Sequence, residues 1–179
     1  DYIKDMGFTT LWSMPLLENN LVTYTYHGYA ISDFYKTDPR YGTNEQFREL
    51  CLQAKVRGIK TIMDVVLNHC SSGHWWMKDK PFNDWINYGG NYINTNHRRE
   101  ANQDIHASQY NKEKMQAGWF VETMPDMNTR NPYLANYLIQ NTIWWIEYAH
   151  LAGLRIDTYP YIDKTFSSSW SKAVLHEYP

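Results

Sequence analysis

The sequence has no excess of either charge: 17 Lys plus Arg stand against 19 Asp plus Glu in 179 residues. That balance supplies no field to hold nucleic acid or an anionic membrane surface, so the expected partner is neutral. No apolar run is long enough to cross a bilayer, and no secretory signal is visible. Cysteine is scarce as well. Cys51 and Cys70 have neither metal-ligand spacing nor the density of a disulfide framework, and they say little about compartment. The composition is not that of a disordered chain either, because 43% hydrophobic residues over this length can bury a core. The opening Asp1-Tyr2-Ile3-Lys4 is not a natural start. A preceding segment is therefore expected, and with it room for an export signal; a periplasmic or extracellular location is favoured over a cytoplasmic one.

Aromatic residues are abundant, at 16% with 8 Trp and 15 Tyr. Flat rings either fill a core or stack on the apolar faces of sugars, and core filling accounts for most of them. Phe8 to Met14 is short, β-prone and stopped by Pro15, which reads as a buried strand. A loop rich in Asn, Tyr and Gly follows. Thr43 to Arg57 places Phe47, Leu50, Cys51 and Ala54 at helical spacing, with Thr43 and Gln46 positioned as a capping pair and Gly58 beyond the end. Lys60 to Leu67 is a second buried strand, interrupted only by Asp64. From 69 to 128 periodicity is lost among Gly, Asn, Asp, His and Trp, too far for an ordinary loop, which predicts an inserted subdomain. Trp75, Trp76 and Trp85 within it are either its small core or platforms for sugar rings, core packing being preferred. Asn131 to Ala152 returns to helix, with Pro132 in its first turn and Gly153 at its end. Leu154 to Thr158 is a third strand, and Ser168 to Glu177 a last helix.

Strands alternating with helices imply an α/β fold with a parallel sheet and right-handed crossovers, either an open sheet or part of a barrel. Three strands do not close an eight-stranded barrel, which takes roughly 250 residues, so a fragment is expected. Two acids inside apolar strands, Asp64 and Asp157, need explaining, because a buried carboxylate is costly unless paired. Arg155 lies two residues before Asp157, so both side chains leave the same side of the strand. A neighbouring guanidinium keeps a carboxylate ionised, as a nucleophile requires, though a buried ion pair that merely orders the sheet fits the spacing equally well.

Four stretches then carry a resemblance: DVVLNH at 64–69, GLRIDTYPY at 153–161, MPDMN at 124–128 and HGYAISDFY at 27–35. Taken together and in this order, they resemble the signatures of the α-amylase family of glycoside hydrolases. The resemblance is closest to the branch of neopullulanases, cyclomaltodextrinases and starch-utilisation enzymes. It implies a (β/α)8 TIM barrel, with 1–68 and 129–179 as barrel segments covering about the second to fourth repeats and 69–128 as the domain inserted after the third strand. It further implies Asp157 as the nucleophile and Arg155 as the group that holds it, with Asp64 supporting the site. His69 and Tyr29 would contact the sugar whose bond is cut, with His27 beside them. The family's general acid is a glutamate from a later strand, and Glu177 matches no motif, so the chain alone is expected to be inactive.

The implied reaction is retaining hydrolysis of α-1,4-glucosidic bonds in starch-derived oligosaccharides, cyclodextrins or pullulan, through a covalent glucosyl-aspartate, with no cofactor required. A transglycosidase or isomerase of the same family is one alternative, and a non-catalytic sugar-binding or transporter-associated relative is another. Asn68 and Asp126 match positions that bind calcium in many members. Pro160 and Tyr161 stand where α-amylases in the narrow sense carry a Lys-His pair whose histidine carbonyl binds that calcium, so hydrogen bonding of Asn68 and Asp126 to loop backbone is the preferred reading. The oligomeric state is not legible.

Overall fold

The computed structural model describes residues 1–21 and 26–179. After a short helix α1 (Tyr2–Asp5), strand β1 (Thr10–Trp12) is cut off before Pro15, which cannot donate to a ladder. It pairs in parallel with β4 (Lys60–Val66), and β4 pairs in parallel with β5 (Gly153–Asp157), giving the order β1-β4-β5. The register sets Arg155 opposite Asp64 and Asp157 opposite Val66. Since side chains alternate between faces with period two, Asp64, Arg155 and Asp157 share one face near the C-terminal ends of their strands.

The opposite face carries Met63 and Val65, which pack with Phe47 and Cys51 of α2 (Asn44–Val56) and with α4 (Pro132–Ala149) and α5 (Lys164–Glu177). Helix α2 starts as its sequence suggests: Gln46 N–H donates to Thr43 Oγ1 while Thr43 N–H donates to Gln46 Oε1. Asn131 Oδ1 accepts from Tyr133 and Leu134 N–H at the head of α4, and Asp163 does the same for α5 from Thr165 and Phe166. Buried polar bonds anchor the helices. Asn141 Nδ2 and Trp145 Nε1 both donate to the Phe34 carbonyl at 2.8 Å, and Trp170 Nε1 donates to Thr142 Oγ1.

Some elements differ from the sequence expectation. Helix α4 stops at Ala149, where His150 takes a left-handed turn at φ 53°, and Gly153 opens β5 rather than ending the helix. Helix α5 begins four residues earlier than its apolar pattern suggests, at Lys164, because Asp163 caps it. Within the stretch read as loop, β2 (Leu17–Glu18) pairs antiparallel with β3 (Asp33–Thr37).

The 69–128 stretch holds three short 3₁₀ turns and one α-helix, α3 (Gln109–Ala117). Its two ends are tied to each other: Cys70 N–H donates to the Pro125 carbonyl, Ser72 N–H to Thr123, and Met127 N–H to Asn68. Trp76 and Trp85 are buried against each other and Trp76 lies 5.6 Å from Phe34, as core packing requires, whereas Trp75 stays 54% exposed. Gly118 is required at its position, since a Cβ there would lie 2.4 Å from the Thr95 backbone. Among the described residues no helix is long and apolar enough to cross a membrane.

Candidate active site

Asp64 is the most deeply placed acid of the strand-end cluster, with a side chain wholly removed from solvent. Arg155 Nη1 donates to its Oδ1 at 3.0 Å and Oδ2 at 3.1 Å, and to Asp157 Oδ1 at 2.7 Å. One guanidinium nitrogen therefore holds two carboxylates. Burial pushes the Asp64 carboxyl up from the ordinary aspartate value, while the Arg155 bonds and a bond from Trp12 pull it down. Asp157 is less enclosed, and among the described residues only its Oδ1 is bonded.

Tyr29 closes the cluster. Its hydroxyl donates to Asp64 Oδ2 at 3.4 Å and accepts from Arg155 Nη1 at 3.4 Å, and its ring lies 5.9 Å from the guanidinium. Burial and the neighbouring Asp64 push its hydroxyl pKa up, so it stays protonated. His27 Nδ1 accepts from the Tyr29 N–H, and the two rings stack at 5.9 Å. His69 sits just beyond β4 with its ring edge-on to Phe120. Burial lowers its pKa to about 4, so the imidazole is neutral, and its buried Nε2 has no hydrogen-bond partner among the described residues. A neutral ring nitrogen of that kind suits an uncharged hydroxyl group.

The structure thus brings Asp64, Arg155, Asp157 and Tyr29 into contact and sets His27 against Tyr29. Trp12, at the end of β1, is a member that sequence reasoning missed. Its Nε1–H donates to Asp64 Oδ2 at 3.2 Å, and its ring lies 5.5 Å from the Arg155 guanidinium. Within an apolar strand a tryptophan reads as core, and only the strand register reveals the acid within its reach. Thr158, directly after Asp157, takes a left-handed conformation at φ 49°, costly for a β-branched residue, and its Oγ1 is buried without a partner among the described residues.

Asn68 and Asp126 lie apart from this cluster, where the 69–128 stretch leaves the barrel. Contrary to expectation they bond side chain to side chain rather than to loop backbone. Asn68 Nδ2 donates to Asp126 Oδ2 at 2.9 Å and Asn87 Nδ2 to Oδ1 at 2.7 Å. The Asn87 carbonyl oxygen accepts from Arg130. The Pro160 carbonyl, one residue before Tyr161 at the histidine position of that Lys-His pair, accepts from Asn102 Nδ2. Calcium prefers six to eight oxygen ligands with several carboxylates. Here one fully buried carboxylate has both oxygens occupied by amide donors, burial pushes its pKa well up, and a guanidinium stands close by. No cluster of three or more His, Cys, Asp or Glu suits a metal among the described residues. This donor set does not fit the ion.

A parallel sheet with helices on one face and a carboxylate, guanidinium, carboxylate set at the strand ends defines a segment of an α/β barrel whose site lies on the C-terminal rim. The α-amylase catalytic-domain model matches residues 1–174. Maltase A1 of Drosophila melanogaster is 33% identical over 90% of the chain and 30% of its own length. Cyclomaltodextrinase of Thermoanaerobacter pseudethanolicus is 29% identical over 96% of the chain and 28% of its own length. Among solved structures, the α-amylase of Geobacillus thermoleovorans in complex with acarbose superposes with a TM-score of 0.81 at 33% identity, covering 98% of this chain and 36% of that one. The chain belongs to the α-amylase family of glycoside hydrolases. It spans about a third of the length of these relatives, and it contributes parallel strands of their TIM barrel.

Proposed function

We propose that this chain supplies the nucleophile half of a retaining α-glucan hydrolase acting on α-1,4-glucosidic bonds of starch-derived oligosaccharides, cyclodextrins or pullulan. The observation that carries this reading is the asymmetry at Asp157: Oδ1 is held by Arg155 at 2.7 Å, and Oδ2 has no hydrogen-bond partner among the described residues. A nucleophile needs one oxygen anchored for orientation and one lone pair available for attack. Oδ2 attacks the anomeric carbon as the glycosidic bond breaks, forming a glucosyl-aspartate that water then hydrolyses, with the second carboxyl acting first as acid and then as base. That second carboxyl comes from elsewhere in the full-length protein. Glu177, exposed at the end of α5 and 3.3 Å from His176, is not a candidate. Tyr29 presents an aromatic face beside the nucleophile, and His69 a neutral nitrogen for a sugar hydroxyl. No step of this route calls for a metal.

The test is to trap the intermediate. Full-length protein is treated with an activated fluorinated glucosyl donor and digested, and the label is located by peptide mass spectrometry. An adduct on the peptide containing Asp157 is expected. An adduct on another carboxylate overturns the site assignment, and a folded protein that gives no adduct and releases no reducing sugar from maltooligosaccharides supports the non-catalytic binding reading.

A further inference from the structure

Asp64 presents a counting problem in hydrogen-bond donors. Its side chain has no contact with water, so both oxygens must be satisfied by protein. Arg155 approaches it through Nη1 alone, and Nη1 carries two hydrogens. One of these belongs to the 2.7 Å bond with Asp157 Oδ1, the shortest of the set. The other is shared among the two oxygens of Asp64, at 3.0 and 3.1 Å, and the Tyr29 hydroxyl at 3.4 Å. Asp64 Oδ2 therefore depends on further donors, which are Trp12 Nε1–H at 3.2 Å and the Tyr29 hydroxyl at 3.4 Å. The two are not equivalent. The hydroxyl can rotate and also accepts from Arg155, whereas the indole N–H only donates and is fixed by its ring. Trp12 reaches the other half of the pair too, since its ring lies 5.5 Å from the guanidinium that its N–H helps to share.

We infer that Trp12 is a positioning residue of the active site: by donating to Asp64 and packing on Arg155, it keeps Arg155 Nη1 available to the nucleophile Asp157. Without the indole N–H, Asp64 is short of one donor and draws Arg155 toward itself, and the 2.7 Å tether on Asp157 lengthens. Trp12 itself makes no bond to Asp157 and acts only through the other two residues. The inference rests on the glycosidase reading above, because only a reacting Asp157 turns this arrangement into rate.

The test uses the full-length protein and three variants: Trp12→Phe, Asp64→Asn and the double variant. Trp12→Phe keeps an aromatic ring and removes the N–H. It is expected to lower kcat on a maltooligosaccharide about tenfold to a hundredfold with KM within about twofold, since the lost contact serves the transition state and not sugar binding. In the Asp64→Asn background the same change should have almost no further effect, because its target carboxylate is gone. A Trp12→Phe variant with unchanged kcat, or one with raised KM and unchanged kcat as expected for a sugar-stacking ring, overturns the assignment while the wild-type activity upholds the glycosidase reading. Independent, multiplicative effects of the two substitutions overturn it as well. If Trp12→Phe does not fold, selective ¹⁵N-indole labelling of the wild type decides: one indole resonance should titrate with a buried carboxylate and disappear from that position in Asp64→Asn, and its absence overturns the inference. An inactive wild type overturns the glycosidase reading and this role together.

Discussion

Asp126→Ala tests how the 69–128 stretch is held to the barrel. The Asp126 side chain is buried, and its two oxygens take the amide protons of Asn68 and Asn87 at 2.9 and 2.7 Å. Removal strands two buried donors, each costing about 1–3 kcal/mol, partly offset because a buried carboxyl no longer has to be desolvated. A net loss of about 2–4 kcal/mol is expected, and at about 1 °C per kcal/mol for a full-length protein about three times this long the melting temperature should fall by roughly 2–5 °C. Asp126→Asn keeps the shape and one acceptor and should cost about half as much. The pH dependence has a definite sign. Because burial raises the Asp126 pKa, its carboxyl holds a proton in the folded protein where the unfolded chain has lost it. Stability attributable to it is therefore greatest at low pH and declines as pH rises from about 4 through the folded value, and Asp126→Asn should flatten that decline. Differential scanning calorimetry of the full-length protein, with and without EDTA, measures all of this. A melting temperature unmoved by Asp126→Ala would refute the reasoning, and so would an EDTA-induced loss comparable to that of the substitution, which would give the role to a metal instead of the amides.

Two further outcomes follow from buried groups. Burial lowers both His69 and His74 to a pKa of about 4, so each stays neutral in the fold while the unfolded chain takes up a proton below about pH 6.5. Stability should be level above that value and fall by about 2 kcal/mol per histidine by pH 5, with His74→Gln halving the slope in urea titrations at successive pH values. Thr158→Gly removes a β-branched residue from φ 49°. Relief of about 1–3 kcal/mol of strain should outweigh the entropy added to the unfolded chain, so the melting temperature should hold or rise slightly while kcat falls as Asp157 loosens, and a clear drop in melting temperature would show that no strain was present.

The Asp64, Arg155 and Asp157 set was legible because each polar residue interrupts an otherwise apolar strand and two of them sit at period two. What one strand cannot report is its register with another, so the facing of Asp64 by Arg155, and the reach of Trp12 from β1, emerged only with the sheet assembled. The helices read well where capping side chains and apolar faces agreed, as at Thr43 and Gln46. Helix α3 was missed because QYNKEKMQA buries only Met115 and Ala117, leaving almost no periodic signal. The β2 and β3 pair was missed for a related reason. Two residues of strand carry no alternation, and their partners lie more than a dozen residues away. The two amides on Asp126 were likewise invisible as a set, since Asn68 and Asn87 converge on that carboxyl only through the packing of an irregular chain.

The paired ends of the 69–128 stretch make it a cassette on a neck. Bonds from Cys70 to Pro125, Ser72 to Thr123 and Met127 to Asn68 bring entry and exit side by side, while Trp76 on Phe34 and Tyr137, Phe82 on Tyr133 and Asn102 on Pro160 hold the interior to the barrel, so the chain between them can change length where these contacts are kept. His69 occupies that neck, bridged to Asp126 across it. Any remodelling of the cassette that preserves these bonds and contacts leaves the His69 side chain in place, and any that disturbs the neck shifts it. Exchange of the segment between relatives should therefore succeed when the joints fall inside the neck, between Ser72 and Thr123, and fail when they fall outside it.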